Sequence, residues 1–281
     1  MLAYVEPTTL EQALDLLAED EEARPLAGGQ SLMVLLRLGL ARPRSLVSLQ
    51  AIPGLDDVVR EDGRLRIGPM VTYRRITDGP GVPMPDALRD ACGLVGPIPV
   101  QNVGTLGGSL CHNAPGADVP PALLALDAEA VVRSSSGARA LPLSDFFRGY
   151  FETALRPGEL LTAITMPAPG TASSSAYLKF SYRMVDMAMV GVAVAFRLES
   201  GIVRDVRIAL GGVDVVPFRA RTAEAALEGR PLEPGALRDV GRLAAEERAA
   251  ISDVHASGAY RRRIIPPLVR RAFEKAMARC T

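Results

Sequence analysis

The chain is 281 residues long, 48% hydrophobic and 23% charged, with 32 basic and 32 acidic side chains that cancel. That length supports a sizeable core in one to three domains, and the balanced charge excludes the broad basic face that binds nucleic acid or an anionic membrane. Its three cysteines, Cys92, Cys111 and Cys280, form no CxxC pair and no disulfide framework, which fits a reducing cytoplasm and falls short of the four thiolates of an iron–sulfur cluster. The opening MLAYVEPTTLEQALDLL has early acids and no basic stretch before an apolar run, unlike a signal peptide. PTTLEQALDLLAED predicts a helix, with Thr8 and Glu11 at capping-box spacing and Leu10, Ala13, Leu14 and Leu17 on one face.

An extended piece, RPLA, leads into AGGQSLMVLLRLGL, where Gly28-Gly29 precede an apolar helix starting near Ser31. SLVSL (45–49) reads as a strand, VVREDGRLRIG (58–68) as a hairpin about Asp62-Gly63, and AVVRSSSGARALPL (130–143) as a second hairpin. The Pro-, Gly- and Ser-rich stretch MPAPGTASSS (166–175) marks a domain boundary. Beyond it AYLKFSYR, VGVAVAFRL and VRDVRIALGG alternate like a three-stranded antiparallel sheet. Helices follow over 222–229, 236–249 and 257–279, the last with a kink expected at Pro266-Pro267. The longest uncharged apolar run, MAMVGVAVAF (187–196), is about half of a membrane span and reads as a buried strand. Strands followed by helices, without regular βαβ alternation, make this an α+β chain.

Two small loops stand out, AGGQS (27–31) and TLGGS (105–109). Glycine permits positive φ and close approach of a ligand, so that consecutive N–H groups converge on an anion. Hydrogen bonds to a charged group contribute roughly 1.5–3 kcal/mol each, enough for two such loops to hold a diphosphate without a cationic side chain. The alternative is a pair of tight turns. GTLGGS lacks the GK[ST] of a P-loop, and neither loop gives GxGxxG after a strand. The stretch QNVGTLGGSLCHNAPGADVP (101–120) carries no Lys or Arg. Its Cys111-His112 pair is too few ligands for a metal site, and neighbours in sequence need not face each other as nucleophile and base. Asp118, just before Val119-Pro120, is placed to cap a helix. Lys179 and Lys275 are the only lysines among the 32 basic residues.

AGGQSL at 27–32, GTLGGSLCHNAPGADVPPALLALDA at 104–128, DFFRGYFETALRPGELL at 145–161, and the later AYLKFSYRMVDMAMVGVAVAF, RIALGGV and PFRA together resemble the FAD-binding medium subunit of molybdenum hydroxylases, the xanthine and carbon monoxide dehydrogenase flavoprotein family. The resemblance covers essentially the whole chain. It implies a two-subdomain, PCMH-type FAD-binding region over 1–170 (about 1–55 and 56–170) and a C-terminal α+β flavoprotein domain over 171–281. By the same resemblance Ala27, Gly28, Gly29, Gln30 and Ser31, with Thr105, Leu106, Gly107, Gly108 and Ser109, hold the diphosphate of a non-covalent FAD. Gln30 stands where the family often has His. Asp118 matches an acidic cofactor contact, the backbone of Leu155 lies beside the flavin, and Lys179 matches a lysine near its ring, where an ammonium stabilises reduced flavin. Met187 stands where some relatives place an aromatic. No catalytic side chain and no metal ligand is expected on this chain. The resemblance further implies a molybdenum cofactor on a large partner subunit and [2Fe–2S] clusters on a small one, in a dimer of heterotrimers that passes electrons to an external acceptor. A self-sufficient FAD oxidase or reductase, or an assembly subunit that has lost FAD, are the rival readings.

Overall fold

The computed structural model describes residues 2–170 and 172–280. Its first unit is a parallel three-stranded sheet in which Ser45–Ser48 lies between Ala3–Val5 and Arg24–Leu26. This is a single small β-α-β arrangement, compatible with an α+β chain that lacks regular βαβ alternation. Its outer strands are three residues long, too short for a period to show. The helix Leu10–Glu19 covers the sheet with Ala13, Leu14 and Leu17 buried. Its cap falls one residue later than expected: Thr9 accepts from the Gln12 N–H, while the Gln12 side chain accepts from the Thr8 N–H. Gln12 thus takes the reciprocal place that spacing assigned to Glu11.

Next comes a five-stranded antiparallel sheet. The central strand Leu160–Pro167 is flanked by the expected hairpins, Val58–Glu61 with Arg64–Ile67, and Glu129–Ser134 with Gly137–Pro142. The turn of the first hairpin has positive φ at Asp62 and Gly63, the geometry that Asp-Gly favours. Helices Asp86–Leu94, Ile98–Val103, Leu106–His112 and Val119–Ala125 lie between the strands.

The C-terminal sheet contains the three expected strands, Ser173–Phe180, Val190–Glu199 and Ile202–Gly211, plus a two-residue fourth, Phe218–Arg219. Both faces are covered. Val190, Val192, Val194 and Phe196 pack with helices Arg221–Leu227, Pro234–Glu246 and Gly258–Met277. The alternate residues Ala193 and Ala195, with Tyr177, join the core of the preceding region. That two-sided burial is why the strand's residues 190–196 read as an unbroken apolar run. The last helix continues through Pro266 and Pro267. Gly241 faces that place, where an added Cβ would lie 2.8 Å from Pro266 Cα.

The free edge of Ser173–Phe180 is closed by side chains. Tyr177 N–H donates to Asp90, the Ser175 carbonyl accepts from Arg279, and the Tyr177 carbonyl accepts from Lys275. Asp90 also takes a bidentate pair from Arg279, at 2.8 and 2.9 Å, and the Lys275 ammonium at 2.9 Å. Burial pushes the Asp90 carboxyl up, but Arg279, the Tyr177 N–H and Lys275 outweigh it and leave it below its ordinary value. A depressed carboxyl stabilises the fold above its unfolded pKa and loses that contribution as pH falls through its folded value. Asp90→Ala is expected to destabilise by roughly 2–3 kcal/mol at pH 7, the cost of stranding partly buried cations. The melting-temperature gap between variant and wild type should close as acid protonates Asp90; a gap independent of pH would deny the ion network its role.

Candidate functional site

The two glycine loops meet. An added Cβ at Gly28 would stand 1.8 Å from the Val103 carbonyl oxygen and 3.1 Å from Gly104 Cα, and one at Gly108 would be 4.0 Å from Ala27 Cβ. They line one cavity of about 1810 Å³ that runs on past Cys111 and His112, the 114–118 turn, Leu155 and the 182–189 segment. Such a volume exceeds the roughly 300–1,000 Å³ of a usual small-molecule pocket and suits an extended ligand.

The loops differ in what they offer. In 27–31, Gly29 sits at φ +68°, and the N–H groups of Gly28, Gly29, Gln30 and Ser31 have no acceptor among the described residues. The Gln30 amide folds back to donate to the Gly28 carbonyl at 3.2 Å. The second loop is the first turn of helix Leu106–His112, capped by Thr105, whose hydroxyl accepts from Gly108 N–H at 3.0 Å. There the Leu106, Gly107 and Ser109 N–H groups are also bonded, to Val71, Pro69 and Thr105 carbonyls. Only the first loop therefore presents a run of free donors. The second contributes closeness: a Cβ at Gly107 would meet Pro69 at 2.4 Å, so tertiary contact sets the helical glycine against its propensity.

Asp118 is not a cap. It precedes helix Val119–Ala125 without bonding to it. Its carboxylate accepts from the Tyr177 hydroxyl at 2.7 Å and the Lys179 ammonium at 3.0 Å. Gly191 leaves the room: a Cβ there would lie 2.4 Å from the Tyr177 hydroxyl. Burial raises the Asp118 carboxyl to about 6, with Lys179 and Tyr177 holding it back. The same burial pushes the Cys111 thiol up to about 12 and lowers the His112 imidazole. Cys111 therefore carries no reactive thiolate near neutral pH. The His112 ring lies 5.0 Å from that of Phe151. Among the described residues no three His, Cys, Asp or Glu side chains gather as a metal site needs.

The expected residues Ala27, Gly28, Gly29, Gln30, Ser31, Thr105, Gly107, Gly108, Ser109, Asp118 and Leu155 line the cavity. Leu106 and Lys179 do not: Leu106 is in the core, and Lys179 is 3% exposed and turned to Asp118. Met187 reaches the wall. Sequence reasoning passes over Arg261, which also lines it. Its guanidinium donates to the Met189 and Gly212 carbonyls and pairs with Asp253. Within the run Arg261-Arg262-Arg263 nothing in the sequence marks the buried member.

Residues 1–169 match the family described as the FAD binding domain in molybdopterin dehydrogenase, and residues 175–276 match the CO dehydrogenase flavoprotein C-terminal domain. The chain belongs to this family of oxidoreductase flavoprotein subunits. It is 34% identical to the nicotine 6-hydroxylase medium subunit of Paenarthrobacter nicotinovorans, over 99% of this chain and 98% of that protein. It is 33% identical to the carbon monoxide dehydrogenase medium chain of Afipia carboxidovorans, over 98% and 96%. Among solved structures, quinoline 2-oxidoreductase from Pseudomonas putida 86 superposes with a TM-score of 0.93 at 32% identity, covering 100% of this chain and 98% of that one. No helix among the described residues is long and apolar enough to cross a membrane.

Proposed function

We propose that this chain is the FAD-carrying medium subunit of a cytoplasmic molybdenum-containing hydroxylase or dehydrogenase, relaying electrons from [2Fe–2S] clusters on a small partner to an external acceptor. A large partner subunit holds the molybdenum cofactor, and the assembly is a dimer of heterotrimers. The observation that carries the reading is the junction of the two glycine loops over one long cavity, with residues 28–31, whose N–H groups find no acceptor among the described residues, in its lining. Gly28, Gly29, Gln30 and Ser31 donate to the diphosphate. Gly108 admits its approach, Gly107 lets the turn pack on Pro69, and Thr105 and Ser109 flank the diphosphate. Asp118 and Leu155 stand further along the wall. FAD supplies one- and two-electron chemistry when bound; the protein binds it, orients it and excludes water. In this reading 1–170, with subdomains about 1–55 and 56–170, holds the cofactor, and 171–281 closes the far wall.

The isolated chain should bind about one FAD without a covalent link and reject FMN, which lacks the diphosphate. Titration of apo-protein with each flavin, followed by release on denaturation, tests this. Equal affinity for FMN would remove the diphosphate assignment, and flavin that stays attached would favour a self-sufficient flavoenzyme.

A further inference from the structure

We propose that Lys179 is a positioning residue: its ammonium latches the segment 181–189 to the end of helix Asp86–Leu94 and to Asp118, fixing one wall of the cavity. The inference rests on the reading that the cavity holds FAD. It assigns Lys179 a role through backbone geometry in place of a charge at the flavin.

The ammonium has three N–H groups and three acceptors, the Leu94 carbonyl at 2.6 Å, the Asp186 carbonyl at 2.9 Å and Asp118 Oδ2 at 3.0 Å. None is left for a ligand. Strand alternation places Tyr177 and Lys179 on one face of Ser173–Phe180, so both reach Asp118. The positive charge is thereby paired inside the protein.

Each acceptor adjoins the cavity. Val95 and Gly96 follow Leu94, Val185 and Met187 bracket Asp186, and Asp118 is itself part of the wall. From 181 to 187 no side chain is buried, while Tyr182, Met184, Val185 and Met187 are largely exposed. No core beneath that segment holds it down. Ser181, Arg183 and Asp186 bond to one another, but those bonds only shape the loop. What joins its outer part to the body is Lys179 at Asp186, with the Ala188 N–H donating to the Gly116 carbonyl at 3.0 Å just beyond.

The residue type follows from the geometry. Three acceptors converging on a point suit a compact tetrahedral ammonium and not the planar fork of a guanidinium. That accounts for one of only two lysines in a chain that otherwise uses arginine. The other, Lys275, pins the same strand to Asp90.

The test uses the full chain as wild type, Lys179→Gln and Lys179→Arg. Hydrogen exchange over 181–189 is read in the apo-protein, and FAD dissociation rate and flavin midpoint potential in the loaded one. Both variants should lose protection over 181–189 selectively and release FAD at least about tenfold faster, the equivalent of one charged hydrogen bond. Lys179→Arg should do no better than Lys179→Gln, and the potential of the flavin that remains should be unchanged. Should the singles fail to fold, the double variant Lys179→Met with Asp118→Asn leaves no buried charge unpaired, and its exchange should show the same selective loss. Retention of FAD by Lys179→Arg with a lowered potential in Lys179→Gln and intact protection would overturn the proposal. Loss of protection spread evenly through the chain would overturn it as well. A wild type that takes up no FAD would overturn the cofactor reading alone, since exchange in the apo-protein still judges the latch.

Discussion

Gly28→Ala should abolish stable FAD binding, raising the dissociation constant by at least about a hundredfold. The new methyl would stand 1.8 Å from the Val103 carbonyl oxygen, with the carbonyl carbon at 2.7 Å. Both are backbone atoms, so no rotamer relieves the clash. Either the 27–31 loop or the 103–108 segment must move by more than an ångström, and the junction that lines the cavity opens. Two misplaced donors to a charged phosphate forfeit roughly 3–6 kcal/mol, and every 1.4 kcal/mol is about a factor of ten. The comparison is Gly93→Ala, a helical glycine whose added Cβ meets only Thr77 Cγ2 at 3.6 Å. That change should leave binding alone and raise stability by up to about 1 kcal/mol through helix propensity. Titration of both apo-proteins with FAD, alongside thermal melts, separates the effects. Wild-type affinity in Gly28→Ala would show that the loop junction is not where the cofactor is held.

Much of this arrangement was legible in the sequence, and the failures share a cause. The hairpins at 58–67 and 129–142 were readable because Asp62-Gly63 and the Ser-Gly turn act locally. The two glycine loops were readable as a pair, but not their division of labour. Whether the N–H groups of 105–109 are free depends on Pro69 and Val71, which come from elsewhere in the chain. Asp118 stands where a cap belongs, yet Tyr177 and Lys179 claim its carboxylate across 59 and 61 positions. A short-range rule has no access to such a competitor. The strand Leu160–Pro167 went unread because it is buried in mid-sheet next to an irregular boundary and shows no clean alternation. Lysine scarcity singles out Lys179, while its contacts, two backbone carbonyls and the Asp118 carboxylate, are ones that composition cannot show.

Without its partners, the FAD-loaded chain should show no bleaching when the organic substrate is added anaerobically, whereas the reconstituted complex should bleach at its turnover rate. The cavity offers little acid–base chemistry of its own. Burial lowers His112 and lifts the Cys111 thiol to about 12. Asp118 is engaged by Tyr177 and Lys179, and His255 stands exposed at the rim. Under the proposed relay, an electron reaches this flavin across a subunit boundary. The mouth of the cavity is suited to one. Tyr150, Phe151, Tyr182, Val185 and Met187 line it and remain 45–77% exposed, an apolar rim of the kind a partner surface covers. Substituting Tyr182 and Val185 by Ser should leave FAD in place, because neither side chain takes part in the loop junction or in the Lys179 bonds that hold the segment, but should weaken docking and slow bleaching in the complex. Flavin content, co-purification of the partner chains and stopped-flow absorbance report the three steps separately. If the lone chain bleaches as fast as the complex, the relay fails and a self-sufficient flavoenzyme takes its place; if the rim variant assembles and bleaches like wild type, electrons enter by another face.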